Sequence, residues 1–149
     1  SDVYKRQGYA CRDTLRLEAG MPLYGNELSL ETNPFEAGFA RVVRLDHEFV
    51  GGDALTKLAE ANPAKKLVAL VGEGKRAARA HYELFAEEHL TSPIGEITTG
   101  ALSPTLGYPI AMAYVQPAFA DPGIEIWADV RGSRQRMTVS ALPFYKRAK

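Results

Sequence analysis

Ile124-Glu125-Ile126-Trp127-Ala128-Asp129-Val130 alternates apolar and polar residues, and Arg131-Gly132-Ser133 then breaks the pattern. Alternation with period two marks a strand with one buried face. Gly132 suits a tight hairpin turn leading into a second strand. Shorter apolar runs surround this stretch, at 67–71, 95–99, 110–115 and 137–142. Turn residues separate them, at Ser92-Pro93, Gly107, Gln116-Pro117 and Asp121-Pro122-Gly123. Short strands with a turn about every 8–12 residues indicate an antiparallel sandwich or barrel. Trp127, alternating with Glu125 and Asp129, is expected to sit in the barrel core or to line a ligand.

Before Pro63 the texture differs. Tyr9, Leu15 and Leu17, with Ala10, Cys11 and Ala19, suit a short amphipathic helix. Gly20 is placed as its stop and Pro22 cannot continue it. Residues 24–38 are loop-like, with Asn33-Pro34 favouring a turn. Phe39, Val42, Val43 and Leu45 form a strand-like run, and Ala54, Leu55 and Leu58 recur at near-helical spacing. Pro63 is the expected domain boundary. Residues 1–7 show no apolar periodicity and read as a leader. The sequence thus divides into 1–7, 8–62 and 63–149, a mixed α+β chain ending in an antiparallel sandwich or barrel.

Composition narrows the function classes. The chain has 149 residues, 18 basic and 18 acidic, and 46% hydrophobic. Zero net charge argues against broad nucleic-acid binding, which needs a basic surface. No apolar run has the length of a membrane span. A single cysteine forms no internal disulfide and no Cys-rich metal site.

Few residues carry the marks of catalysis. His47, His81 and His89 lack metal-ligand spacing and read as isolated surface or loop histidines. Cys11 reads as a packed small hydrophobe, although Arg12 beside it favours the thiolate. Val71-Gly72-Glu73-Gly74-Lys75-Arg76 is basic and glycine-rich but lacks P-loop spacing, so it reads as a strand ending in a turn. Lys75, Arg76 and Arg79 add local positive charge that reads as a solvated face. Arg12 and Arg16 stand four apart on one helix face, close in sequence to Tyr24. Two arginines so placed grip a carboxylate bidentately, and a tyrosine stacks on a flat ring. The same residues equally describe a charged helix face paired with Asp13 and Glu18.

The stretch Cys11-Arg12-Asp13-Thr14-Leu15-Arg16-Leu17-Glu18-Ala19-Gly20-Met21-Pro22-Leu23-Tyr24-Gly25-Asn26-Glu27-Leu28 closely resembles the signature of the glycine cleavage T-protein family, the aminomethyltransferases. Further ordered matches are Asn33-Pro34-Phe35-Glu36-Ala37-Gly38, Phe49-Val50-Gly51-Gly52-Asp53-Ala54-Leu55 and Gly95-Glu96-Ile97-Thr98-Thr99-Gly100. Pro143-Phe144-Tyr145-Lys146-Arg147 closes the series.

The resemblance implies that 63–149 is the family's C-terminal barrel and 8–62 the end of its folate-binding core. It implies transfer of a one-carbon unit from the aminomethyl-lipoyl arm of H-protein to tetrahydrofolate, with release of ammonia. Tetrahydrofolate enters as co-substrate, no metal is expected, and the setting is cytoplasmic. Neither nucleic acid nor membrane is an expected partner. The family's catalytic aspartate has no counterpart in this sequence, so no catalytic residue is assigned and the chain alone is expected to be inactive. Arg12 is the first candidate for contact with substrate and Arg16 the close alternative. Tyr24 is a candidate pocket residue, and Arg147 a candidate to close the folate site from the barrel. Two other readings compete: the folate-binding module of a sarcosine or dimethylglycine dehydrogenase, and a non-catalytic folate-binding module.

Overall fold

The alternation at 124–130 is resolved as a strand whose two faces meet different surroundings. In this computed structural model, which describes residues 8–146, Ile126, Ala128 and Val130 are buried while Glu125 is exposed and Trp127 and Asp129 are half-buried. Six strands form: β1 (Lys66–Gly72), β2 (Glu83–Phe85), β3 (Gly95–Leu102), β4 (Pro109–Val115), β5 (Glu125–Val130) and β6 (Ser133–Ser140). They close antiparallel in the order β1-β4-β3-β2-β5-β6. Closure gives each strand a paired neighbour on both sides, most briefly at β2, which meets β3 and β5 over two residues each.

Trp127 lies outside the barrel core, so the first of its two expected places is not taken; it lines an outer cavity with Lys75, Arg76 and Arg134. Residues two apart share a face of a strand, so Trp127 lies with Glu125 and Asp129, and the interior goes to the residues between them. The β5–β6 turn follows the sequence reading. Val130 pairs with Ser133, leaving Arg131 and Gly132 as a two-residue turn. Their φ values are 57° and 81°, as a type I′ turn requires. Asp129 Oδ1 accepts the Gly132 N–H at 2.7 Å.

β4 reads Pro-Ile-Ala-Met-Ala-Tyr-Val without alternation, and all of it except Tyr114 is buried. The cause is a second layer. Ala111, Ala113 and Val115 face the barrel interior, while Ile110 and Met112 pack outside it against Leu17. Leu17 belongs to α1 (Tyr9–Glu18), the helix expected from sequence. Its end is a Schellman cap: Gly20, at φ 70°, donates to the Leu17 carbonyl and Met21 to the Arg16 carbonyl. Tyr9 and Leu15, expected on the apolar face, are exposed. Leu15 and Leu17 are two residues apart, about 200° around a helix, and cannot face one way. Phe144 joins the outer cluster from the C-terminal side, and the Tyr145 N–H donates to the Glu18 carbonyl. The helix is therefore held between the barrel wall and the C-terminal segment.

Two further expectations meet different outcomes. The strand-like run at 39–45 forms a 3-10 turn, Ala40–Val42, with Val42 exposed. A strand needs a partner ladder, and this segment has none among the described residues. A second helix, α2 (Gly52–Glu60), forms where expected but buries no residue. β2 escaped the sequence reading because three residues are too few to show a period. Among the described residues no helix is long and apolar enough to cross a membrane.

Gly100 marks the tightest approach at one barrel end. A Cβ there would lie 2.0 Å from the Ala78 carbonyl oxygen. Gly100→Ala is expected to lower unfolding stability by about 1–3 kcal/mol or more, by overpacking against backbone. Gly52→Ala, whose Cβ meets only the Phe49 ring at 3.5 Å, is expected to change stability by less than about 1 kcal/mol. Urea titration of both variants checks the contrast.

Candidate functional site

The turn after α1 folds Glu27 back beneath the helix. The Leu23 carbonyl accepts the N–H groups of Asn26, Glu27 and Leu28, which closes the turn. Glu27 is 1% exposed, so its charge needs partners. Oε2 accepts from Arg16 Nη1 at 2.6 Å and from the Leu23 N–H at 2.9 Å. Oε1 accepts the Thr98 hydroxyl at 2.7 Å and the Thr99 hydroxyl at 2.6 Å. In a regular strand, Thr98 and Thr99 would point to opposite faces. The β3–β4 register shifts between Ile97 and Thr99, and this bulge turns both hydroxyls to one carboxylate.

Burial acts to raise the Glu27 pKa, but Thr99, Thr98, the Leu23 N–H and the Arg16 charge together outweigh it, and the carboxyl rests below its ordinary range. Arg16 is nearly saturated: Nε donates to Asp13 at 2.8 Å and Nη2 to the Thr99 hydroxyl at 2.7 Å. Tyr114 donates its hydroxyl to the Glu27 carbonyl oxygen at 2.8 Å. Burial, with Glu36 and Glu27 nearby, pushes the Tyr114 hydroxyl up to about 12, so it stays a neutral donor. A second buried carboxylate, Glu18, accepts the Ser103 hydroxyl, the Thr105 hydroxyl at 2.8 Å and the Thr105 N–H at 3.2 Å. Glu18, offered by the sequence as a pairing partner of the helix arginines, instead takes its side-chain partners among the described residues from the β3–β4 connection.

The two candidate arginines do not converge. Arg16 is buried, its guanidinium held by Glu27, Asp13 and Thr99. Arg12, one turn earlier, is exposed and lines a cavity of about 340 Å³ with Tyr9, Asp13, Leu23 and Asn26. Asn26 links the two environments: it lines that cavity and donates from Nδ2 to the Thr99 hydroxyl at 3.0 Å. Tyr24 is 68% exposed and does not line the Arg12 cavity. Arg147 and the leader at 1–7 lie outside the described residues. Glu27 and the Thr98–Thr99 pair went unassigned by residue-level reading, because their partners are 71 and 72 residues away. Cys11 is half-buried. His47, His81 and His89 are exposed, each beside a carboxylate. Among the described residues no three His, Cys, Asp or Glu side chains are grouped to hold a metal ion.

Comparison with known proteins gives this geometry a context. The model of the glycine cleavage T-protein C-terminal barrel domain matches residues 65–146, and that of the GCVT N-terminal domain matches residues 3–47. The second match begins within the stretch read as a leader. An aminomethyltransferase of Streptomyces coelicolor is 57% identical across 95% of this chain, and one of Corynebacterium jeikeium is 50% identical across 95%. The chain spans 39% and 38% of their respective lengths. The crystal structure of glycine cleavage system aminomethyltransferase T from Bartonella henselae is similar with a TM-score of 0.86 and 33% identity, over 93% of this chain and 39% of that one.

The Glu27 network predicts a pH dependence. A carboxyl whose folded pKa is depressed contributes stability that is whole above its ordinary value of 4.5 and is lost as pH falls through the folded value. Urea unfolding from about pH 6 to about pH 3 is expected to show wild type losing its advantage over Glu27→Gln as the pH drops. Glu27→Ala, which strands the Arg16 charge, is expected to cost about 3–5 kcal/mol near neutral pH.

Proposed function

The chain belongs to the glycine cleavage T-protein family, and we propose that it is part of a tetrahydrofolate-dependent aminomethyltransferase. In this reading the reaction takes the aminomethyl group from the lipoyl arm of H-protein, passes its carbon to tetrahydrofolate and releases ammonia. The supporting observation is the division of labour between the two arginines of α1. Arg16 is consumed by Glu27, Asp13 and Thr99, which leaves Arg12 as the guanidinium at the rim of an open cavity.

The donor set fits a carboxylated ligand. Arg12 offers a planar fork that matches a carboxylate bidentately. Asn26 beside it is oriented by its bond to Thr99. Arg12 is thus proposed to bind a carboxylate of the folate, and Arg16 to act as a positioning residue through the turn at 23–28. Tyr24, exposed as it is, is proposed to meet ligand from the outer side. Arg147 keeps its proposed place at the folate site. The domain division at Pro63 belongs to the same proposal; the first barrel strand begins three residues later, at Lys66. So does the cytoplasmic setting.

These residues bind and orient rather than move protons. Placing two reactants in a fixed geometry and excluding water accounts for their part in the transfer. No general acid or base is assigned here, and the 149-residue chain is proposed to lack turnover alone.

Three measurements test the reading. Purified chain, supplied with aminomethylated lipoyl H-protein and tetrahydrofolate, is expected to release no ammonia; folate-dependent release would overturn that part. Calorimetry is expected to show tetrahydrofolate binding that Arg12→Ala weakens about tenfold, the scale of one charge-assisted hydrogen bond. Arg12→Ala should leave the melting temperature in place, whereas Arg16→Ala should lower it. Unchanged affinity in Arg12→Ala would remove Arg12 from the site.

A further inference from the structure

The basic, glycine-rich segment after β1 takes no part in the site at α1. β1 ends at Gly72, and Gly74 turns the chain at φ 74°. The following residues cross one end of the barrel and are fixed there. Ala78 is 1% exposed and belongs to the inner core cluster. Its carbonyl sits where Gly100 lacks a side chain. Further along, the Tyr82 N–H donates to the Arg79 carbonyl at 3.3 Å and the Tyr82 carbonyl accepts from Ile97 at 2.9 Å. Lys75, Arg76 and Arg79 therefore project from a segment anchored on both sides.

These three cations rim a cavity of about 520 Å³, within the size range of small-molecule sites. Arg131 reaches it from the β5–β6 turn, and Tyr82 and Val130 contribute to its wall. No Asp or Glu lines it. Among the described residues none of the four cations forms an ion pair. The neighbouring Glu73 is held by Arg136. Arg131 also occupies a backbone conformation that favours other residues. At φ 57° in a type I′ turn, Asn, Asp or Gly is the low-strain choice. Strain of this kind is a mark of functional positions, and here it sets a fourth positive charge on the cavity.

We propose that this end of the barrel is a second anion site, taking a compact molecule with two or more carboxylate or phosphate groups. The guanidinium forks of Arg76, Arg79 and Arg131 match either group bidentately, and Lys75 adds a point charge. An acid-free rim keeps that potential uncompensated. The site is independent of Arg12, which lies on α1 and lines a different cavity.

Calorimetry of the 149-residue chain with inorganic pyrophosphate, and separately with citrate, tests the proposal at low salt. The expected result is a Kd below about 1 mM for at least one probe. Arg131→Asn and Arg76→Gln are each expected to weaken that binding at least about tenfold. Arg131→Asn suits the turn better than arginine does, so its melting temperature should hold or rise, which separates loss of binding from loss of fold. Stronger binding of pyrophosphate assigns the site to phosphate ligands, and stronger binding of citrate to carboxylates. Binding weaker than about 1 mM for both probes, or unchanged affinity in both variants, overturns the proposal.

Discussion

Glu27 carries a full negative charge inside the protein, and the packing of α1 on the barrel depends on how that charge is met. An isolated buried carboxylate costs several kcal/mol. Here one carboxylate receives a guanidinium, a backbone N–H and two threonine hydroxyls. The donors come from three places in the chain: α1, the turn that follows it and β3. Removing any one of them would leave a buried polar group short of a partner. The network therefore ties helix, turn and barrel into one arrangement, and the β3 bulge supplies the two adjacent hydroxyls.

Several features follow from that junction. With α1 held over β3 and β4, Leu17 lies on Ile110 and Met112. The outer face of β4 is thereby removed from water, and this strand is apolar on both faces. Glu18 secures the end of the helix to Ser103 and Thr105. Tyr145 then bonds to the Glu18 carbonyl, which brings the C-terminal segment over the same helix. Because Arg16 belongs to the buried network, its neighbour one turn away is the arginine that faces solvent.

Some of this was legible in the residues. The runs at 67–71, 95–99, 110–115, 124–130 and 137–142 all correspond to strands, because burial of one or both strand faces leaves an apolar trace. Gly20 and Gly132 announced a helix stop and a hairpin because each needs positive φ. Other readings failed for identifiable reasons. The interior was one of two places offered for Trp127, although its companions two residues away are acidic. The run at 39–45 has strand-forming residues but no neighbouring ladder among the described residues. In α1, the composition was right and the angular positions of Leu15 and Leu17 were not.

By itself the sequence determined the antiparallel strands and their turns, the helix before them and its stop, and, through its ordered motifs, the family and with it the barrel. These depend on local periodicity, turn chemistry and residue order. Only the tertiary structure decided which arginine is buried and which is free. Arg12 and Arg16 are equivalent by spacing, and they differ because Glu27 and Thr99 meet one of them. The same holds for Lys75, Arg76, Arg79 and Arg131: only closure of the barrel sets the fourth beside the other three. Charges distant in the chain acquire their roles from desolvation and partners, and both are properties of the folded arrangement.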